Sequence, residues 1–459
     1  MAGWSLNLGS LWKRRPSNSG VRPAQASTTL VQPLTRAPSR RSAEAALFPG
    51  FQSTASDQPS GRSSDRLAMM RSRIRHAFTP SQPVADRRMY AGRAAVLKTI
   101  ISAIEDQRLH IVLYGERGIG KTSSLHMLTQ SAHEARYIVI YTSCGANSNF
   151  DDTFRAAAAD IPVLFHSGFA PTTAQAERGA TLADLMPAEP VTPRLFGDLC
   201  AKLTGTRVLI VLDEFDRCES GPFRRDVAEL IKNLSDRLGR VQLVLAGVAA
   251  DLTELVAHIP SIRRNILAVR LPKMSSEEIQ QIVANGEREV GFTFEPSATE
   301  LVVAVSRGSP YVANLLCHHA GQECLGDGRV IVAAADVALA VDRVQDEFQS
   351  QLSKPVASRL RALTDRGHGA DLDIAARTML SAESAIGVKE LRAHNDLDAA
   401  QAEAILKHLV AGEILVAVDE VEPLPRYEFV EEGLATYLWV TSTQANLRPD
   451  HANARVARR

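Results

Sequence analysis

The sequence predicts an α/β chain: a parallel sheet covered by helices, then a small helical module, then helices closed by a hairpin. Three observations predict it. Five short apolar runs, His110–Tyr114, Tyr137–Thr142, Val208–Leu212, Gln242–Ala246 and Ile266–Leu271, alternate with helical or turn-rich sequence, the pattern of strands buried on both faces of a parallel sheet. The strand signal stops at Met274, and helical patterns follow. Near the end, two alternating runs, Ile414–Val418 and Arg426–Val430, flank Glu420-Val421-Glu422-Pro423 as a hairpin would.

The elements divide 459 residues into the roughly three domains that such a length suggests. Residues 1–66 hold 12 Ser, 6 Pro and 5 Gly with few aliphatics in any period. Such a segment buries too little apolar surface to offset its ordering entropy. Residues 1–86 are therefore expected to be a disordered basic tail, with order beginning near Arg87. The sheet-bearing base is placed at 87–273, with Phe169–Pro193 as a mobile surface loop. A helical lid at 274–353 opens on Ser275-Ser276-Glu277-Glu278, which fits a capping box. Lys354-Pro355 breaks the chain, a winged-helix-like domain follows at 354–445, and 446–459 is expected to be a flexible tail.

Composition narrows the function classes. Hydrophobic residues at 45% against 23% charged suffice for a core. Lys+Arg and Asp+Glu are 52 each, which argues against a wholly basic nucleic-acid binder. The balance conceals an asymmetry: residues 1–88 carry 14 Lys/Arg against 4 Asp/Glu, net +10, and the remainder is net −10. The tail is Arg- and Ser-rich like a transit peptide, but a solvated segment touching anionic surfaces is the reading preferred. Five cysteines without regular spacing indicate a reducing compartment rather than a disulfide framework. The longest apolar runs fall far short of the ~18 residues that span a bilayer, and Met1–Trp12 lacks a secretory core. A cytoplasmic protein without membrane partners is expected.

The sharpest signal is Gly115-Glu116-Arg117-Gly118-Ile119-Gly120-Lys121-Thr122, a full G-x-x-x-x-G-K-[ST] between a strand and a helix. Glycines let the backbone fold into a nest of N–H groups aimed at phosphate oxygens, and the helix N-terminus adds a favourable dipole. Lys121 is expected to reach the β- and γ-phosphates and the Thr122 hydroxyl to bind Mg²⁺. Gly115, Arg117, Gly118, Ile119, Gly120, Lys121, Thr122 and Ser123 are thus the expected nucleotide contacts. The run Arg207-Val208-Leu209-Ile210-Val211-Leu212 ends in Asp213-Glu214. This places Asp213 at the sheet's carboxyl edge beside Mg²⁺ and Glu214 where it can polarise an attacking water. A P-loop NTPase sheet is the fold class this implies.

With these motifs in place the sequence resembles the AAA+ and STAND branch of P-loop ATPases, and most of all bacterial relatives of the origin-recognition ATPases. Met89-Tyr90-Ala91-Gly92-Arg93-Ala94-Ala95-Val96-Leu97 is similar to the Gly-Arg box of that group, which implies that Arg93 lies near adenine. Pro260-Ser261-Ile262-Arg263-Arg264 resembles the arginine-finger segment, and Arg264 is preferred for that role. Leu271–Glu278 is similar to the join to the lid, and Gly308-Ser309-Pro310-Tyr311 to a STAND lid signature. Arg426–Phe429 through Tyr437-Leu438-Trp439 resembles winged-helix ends. The resemblance implies an ATP- and Mg²⁺-dependent regulatory ATPase that assembles with copies of itself through the nucleotide site. Where such proteins place a polar sensor after the fourth strand, this chain reads Leu245-Ala246-Gly247-Val248-Ala249, with Asp251 the nearest polar candidate. Hydrolysis is therefore expected to be slow or partner-stimulated.

Two further readings stay open. One is a DNA-associated loader or transposition-helper ATPase; the other is a non-hydrolysing nucleotide-dependent scaffold. The expected recognition helix, Leu397–Ala411, carries only Lys407 and His408 against Asp398 and Glu403, whereas phosphate contacts normally demand several Lys/Arg. A DNA partner would draw its charge from the tail; otherwise a protein partner is expected. Cys317-His318-His319 with Cys324 matches no standard zinc spacing and is read as packing. Cys218 is read as inert.

Overall fold

The structure, a computed structural model, describes residues 66–456 apart from 171–173, 175–177, 238, 249–259, 383–384 and 420–424. The expected disordered segment up to residue 65, Asp251 and the hairpin tip lie outside the described residues.

Order begins earlier than the sequence suggested. Helix α1, Arg66–Ala77, precedes α2, Ala94–Glu105. Met70, Ile74, Ala77 and Phe78 are buried in the core of the lid. Arginine content misleads here because the apolar face of α1 packs on the lid, with Ile74 and Phe78 set into glycine-made gaps. A Cβ on Gly286 would stand 1.9 Å from the Phe78 ring, and one on Gly321 2.9 Å from Ile74.

The base sheet contains β1 (His110–Tyr114), β2 (Ile138–Ser143), β3 (Val208–Asp213), β4 (Val241–Gly247) and β5 (Ile266–Arg270), with α3 (Lys121–Glu134), α4 (Phe150–Ala159), α5 (Pro193–Cys200) and α6 (Gly221–Asp236) between them. Strand order is β2-β3-β4-β1-β5, and every pairing is parallel. The period-2 geometry of a strand divides the apolar runs between two cores. Ile210, Leu212, Leu243 and Leu245 pack toward α4–α6, and Leu209, Val211, Val244 and Ala246 toward α2 and α3. The stretch expected to be a mobile loop is partly built in: Leu182 and Val191 are buried in the first of these cores.

The lid comprises α7 (Ser276–Val290), β6 (Thr293–Phe294), α8 (Pro296–Ser306), α9 (Pro310–Gly326), β7 (Ile331–Val332) and α10 (Ala334–Gln351). Ser275 and Glu278 form the expected capping box. The C-terminal module follows as α11 (Lys354–Asp365), α12 (Gly369–Ala382), α13 (Val388–His394), α14 (Ala399–Ala411), β8 (Leu415–Asp419), β9 (Arg426–Phe429) and α15 (Leu434–Val456). β8 and β9 pair antiparallel, and Ile386 bridges Tyr427 as a third, one-residue strand, which makes the module winged-helix-like. Residue 446 does not begin a flexible tail, because α15 continues to Val456. Within it Val440 is buried in the lid core, and Trp439 donates Nε1–H to the Val305 carbonyl at 2.9 Å.

Candidate functional site

A cleft of about 320 Å³ opens at the carboxyl end of β1, between base, lid and C-terminal module. Its floor is the Gly115–Thr122 loop. Gly115, Gly118 and Gly120 have φ of 150°, 71° and 95°, values that L side chains rarely adopt. The loop has room only for glycine on its lid side, since a Cβ on Gly118 would stand 3.1 Å from that of Tyr311. The first amides of α3 have no intrahelical acceptor, so loop and helix together offer unpaired donors to an anion.

Lys121 lies folded over this loop, its Nζ donating to the Gly115 and Glu116 carbonyls at 2.8 and 2.9 Å. Burial lowers its pKa, and the carboxylates of Asp216, Glu432 and Asp213 oppose that shift. Thr122 donates its hydroxyl to Asp213 Oδ2 at 2.9 Å. The two residues that the sequence assigned to Mg²⁺ therefore converge, 91 positions apart in the chain. Hard oxygen donors of this kind suit Mg²⁺. Tyr141 also donates to Oδ2, at 2.6 Å, and burial, then this bond, raises its pKa.

Glu214 sits in the left-handed region, φ 54°, a strained conformation for a non-glycine residue. Its Oε2 accepts from Ser143 and from Arg217 Nη1, both at 3.0 Å. Strand register explains the first contact: Ser143 pairs with Asp213 at the ends of β2 and β3.

Asp216 belongs to none of the sequence motifs. Gly247, which ends β4, pairs with Tyr114, the residue before the phosphate loop. β4 lies between β1 and β3, so a chain leaving β3 must cross its end to reach Lys121. Asp216 makes that crossing: a Cβ on Gly247 would stand 2.5 Å from its Oδ1. That oxygen is buried and has no hydrogen-bond partner, an arrangement that needs a reason in a folded protein; the carboxylate's charge acts on the Lys121 ammonium. A glycine at the end of β4 thus makes room for a carboxylate from the neighbouring loop.

The other expected contacts divide. Arg93 lines the cleft, but its guanidinium donates to the Ile119 and Pro272 carbonyls at 2.5 and 2.8 Å. It braces the phosphate loop against the end of the sheet. Ser123 is committed through its hydroxyl, which accepts from the Val84 amide at 3.0 Å. Val84 belongs to residues 79–84, which line the cleft although the sequence placed them in the tail. Arg117 is exposed and pairs with Glu432 of the C-terminal module at 3.3 Å. Arg263 and Arg264 are exposed on the turn before β5, and Arg264 is not among the residues lining the cleft. Arg307, beside Gly308, stacks on Trp439 at 4.7 Å and donates to Ser381.

The packing readings hold. Cys317 and Cys324 are buried, while His318 contacts the Phe78 carbonyl and His319 contacts Glu347. Cys218 is buried too, and all five cysteines are free.

A family model described as an AAA domain matches residues 104–256. No curated protein matches the sequence. Similar solved structures include the RuvB Holliday junction branch migration motor of Thermotoga maritima, with 16% identity over 73% of this chain and 92% of that one and a TM-score of 0.41. The Orc1 protein of Aeropyrum pernix in complex with DNA has 15% identity, 80% and 96% coverage and a TM-score of 0.41. Cdc6p from Pyrobaculum aerophilum has 14% identity, 82% and 98% coverage and a TM-score of 0.43. At this level of likeness they say nothing of ligand or partner. The AAA match upholds the resemblance to AAA+ P-loop ATPases read from the sequence. No helix among the described residues is long and apolar enough to cross a membrane.

Proposed function

We propose, from an AAA-type base and a cleft shared by three modules, that the chain is an ATP-binding and ATP-hydrolysing regulatory ATPase of the AAA+/STAND type. One observation carries the reading: Thr122 and Asp213 meet at 2.9 Å beside Lys121. Loop amides and Lys121 would hold the phosphates, and residues 79–84 with Met89 and Ile282 would enclose the base. Thr122 and Asp213 fit Mg²⁺, which when bound would neutralise charge between the terminal phosphates.

Lys121 would leave the loop carbonyls for the phosphate oxygens. Glu214, released from Ser143 and Arg217, would orient a water and take its proton on a carboxylate oxygen as the bond to the leaving ADP breaks. Arg264 would act in trans, from a second copy. The nucleotide would hold the lid closed, and hydrolysis would free it, moving the C-terminal module as a hinged body.

The alternative, a DNA-associated loader, draws less support. On α14 His408 is engaged by Asp371, which leaves Lys407 as its one other basic residue. The non-hydrolysing scaffold draws on the missing polar sensor after the fourth strand, which a slow ATPase accommodates equally.

ATP binding and phosphate release test the proposal. Lys121→Ala should abolish binding. Glu214→Gln should retain binding and lose ~10²–10⁴-fold in turnover, the usual worth of general-base assistance. Asp213→Asn should instead weaken Mg²⁺-dependent binding itself. Wild-type turnover in Glu214→Gln would remove the assignment of the catalytic glutamate.

A further inference from the structure

We propose that His368, Asp371 and His408 form a binding site for a divalent transition metal, zinc being the best match, on the C-terminal module and apart from the nucleotide cleft. Asp371 Oδ2 lies 2.9 Å from Nδ1 of His368 and 2.9 Å from Nδ1 of His408. The three ligand atoms all fall within 4.8 Å of one another. Two imidazoles, stacked with ring centroids 4.2 Å apart, thus hold their Nδ1 atoms against one carboxylate oxygen. Around a single zinc ion, with bonds of about 2.0–2.2 Å, neighbouring ligand atoms stand roughly 3.0–3.5 Å apart. Admitting the ion requires the carboxylate to draw back from both Nδ1 atoms, each now 2.9 Å away, and the rings to turn toward it. Its entry replaces two Nδ1–H···O bonds by two Nδ1–metal bonds, each neutral ring carrying its proton on Nε2 instead.

The donor set selects the ion. Imidazole with one carboxylate suits zinc and its neighbours in the first transition row, whereas calcium and magnesium want oxygen alone. Asp371 has no ion pair with Lys or Arg among the described residues, so its charge is not already balanced by a fixed cation. Side-chain exposures of 27%, 20% and 43% leave the point open to solvent, with room for water in the remaining coordination positions.

The ligands stand on rigid backbone, which a metal site requires. Gly367, at φ 88°, turns the chain out of α11. The next amide, of His368, donates to the Leu363 carbonyl at 3.0 Å, and the His368 carbonyl accepts from Leu372 at 3.2 Å. Asp371 lies in the first turn of α12. His408 lies in the last turn of α14, its carbonyl accepting from Gly412 at 2.9 Å. Leu372, beside Asp371, and Leu409, beside His408, are buried in the module core. The ion would staple α12 to α14.

Full-length protein stripped by a chelator, then dialysed against Zn²⁺ and analysed for metal, tests this. Wild type should bind one equivalent per chain and melt at a higher temperature with Zn²⁺ than without. Lys121→Ala should behave identically, which separates this site from the nucleotide cleft. His408→Ala and Asp371→Asn should weaken binding at least tenfold and lose the melting shift. Co²⁺ bound to wild type supplies a readout that needs no variant: ligand-field bands without thiolate charge transfer support the site. A thiolate band, no binding by wild type, or equal binding by His408→Ala overturns it.

Discussion

At the residue scale, the site depends on two positions that a motif search treats differently. Asp213 and Thr122 belong to recognised patterns and meet as those patterns imply. Asp216 belongs to none, and its place depends on the absence of a side chain at Gly247. A methyl group there must displace the Asp216 carboxylate, and it also stands 3.1 Å from the Asp216 amide. Gly247→Ala should therefore destabilise the base by about 1–3 kcal/mol, the usual range for overpacking, and weaken ATP binding. In an Asp216→Ala background the same change should cost measurably less. Denaturant unfolding of the four proteins of that cycle gives the coupling. A coupling near zero would mean that Asp216 and Gly247 do not share the space as described.

At the element scale, α1 and β1 each carry a consequence. Gly→Ala inside a helix ordinarily stabilises, by roughly 0.5–1 kcal/mol. Gly286 in α7 should show the opposite sign, because its Cβ would enter the Phe78 ring. Gly286→Ala should lower stability and expose α1, so that trypsin cuts at Arg71, Arg73 or Arg75 sooner than in wild type. Unchanged proteolysis would mean that α1 does not depend on that gap.

On β1, His110 is fully enclosed, and burial lowers its pKa to about 4 from 6.5. Its Nδ1 accepts from the Leu243 amide at 2.9 Å. As pH falls below about 6.5 the unfolded chain takes up a proton that the folded chain refuses. Stability from this group is thus complete above pH 6.5 and is lost toward pH 4, by at most about 3 kcal/mol. His110→Asn keeps an acceptor and removes the titration. Its unfolding free energy should fall less than that of wild type between pH 7 and pH 4.5.

At the scale of the whole molecule, the C-terminal module is joined to both other modules. Trp439 bonds to the lid and is covered by Arg307 and Arg377, and Gln444 donates to Asp342. Toward the base, Lys273 donates to the Leu380 carbonyl, and an exposed pair joins Glu432 to Arg117 at the mouth of the cleft. If Arg117 contacts the nucleotide as expected, a carboxylate there would compete with phosphate for it. Glu432→Ala should raise ATP affinity, by no more than about fivefold, since exposed ion pairs are worth ~0–1 kcal/mol. The gain should shrink as salt screens the pair. Equal affinities at low salt would show that the module does not hold Arg117 from the nucleotide.

How much was legible follows from how local each signal is. The phosphate loop, the apolar strand before Asp213 and the capping box at Ser275 are short-range patterns, in which chemistry and backbone geometry demand particular residues a few positions apart. The sequence alone determined them, along with the parallel sheet that continuous apolar runs require. Features whose partners lie far along the chain were hidden. For Arg93, which does line the cleft, nothing local reveals the carbonyls of Ile119 and Pro272 that receive its guanidinium. Helix α1 looked like tail because it adjoins a Ser- and Pro-rich segment, and nothing local reveals the gaps at Gly286 and Gly321 that receive Phe78 and Ile74. The His368–Asp371–His408 cluster spans two helices, and Asp216 is placed by an empty position on another strand. These were decided by tertiary structure, because a buried group is defined by what surrounds it, and what surrounds it is set by packing rather than by neighbours in the chain.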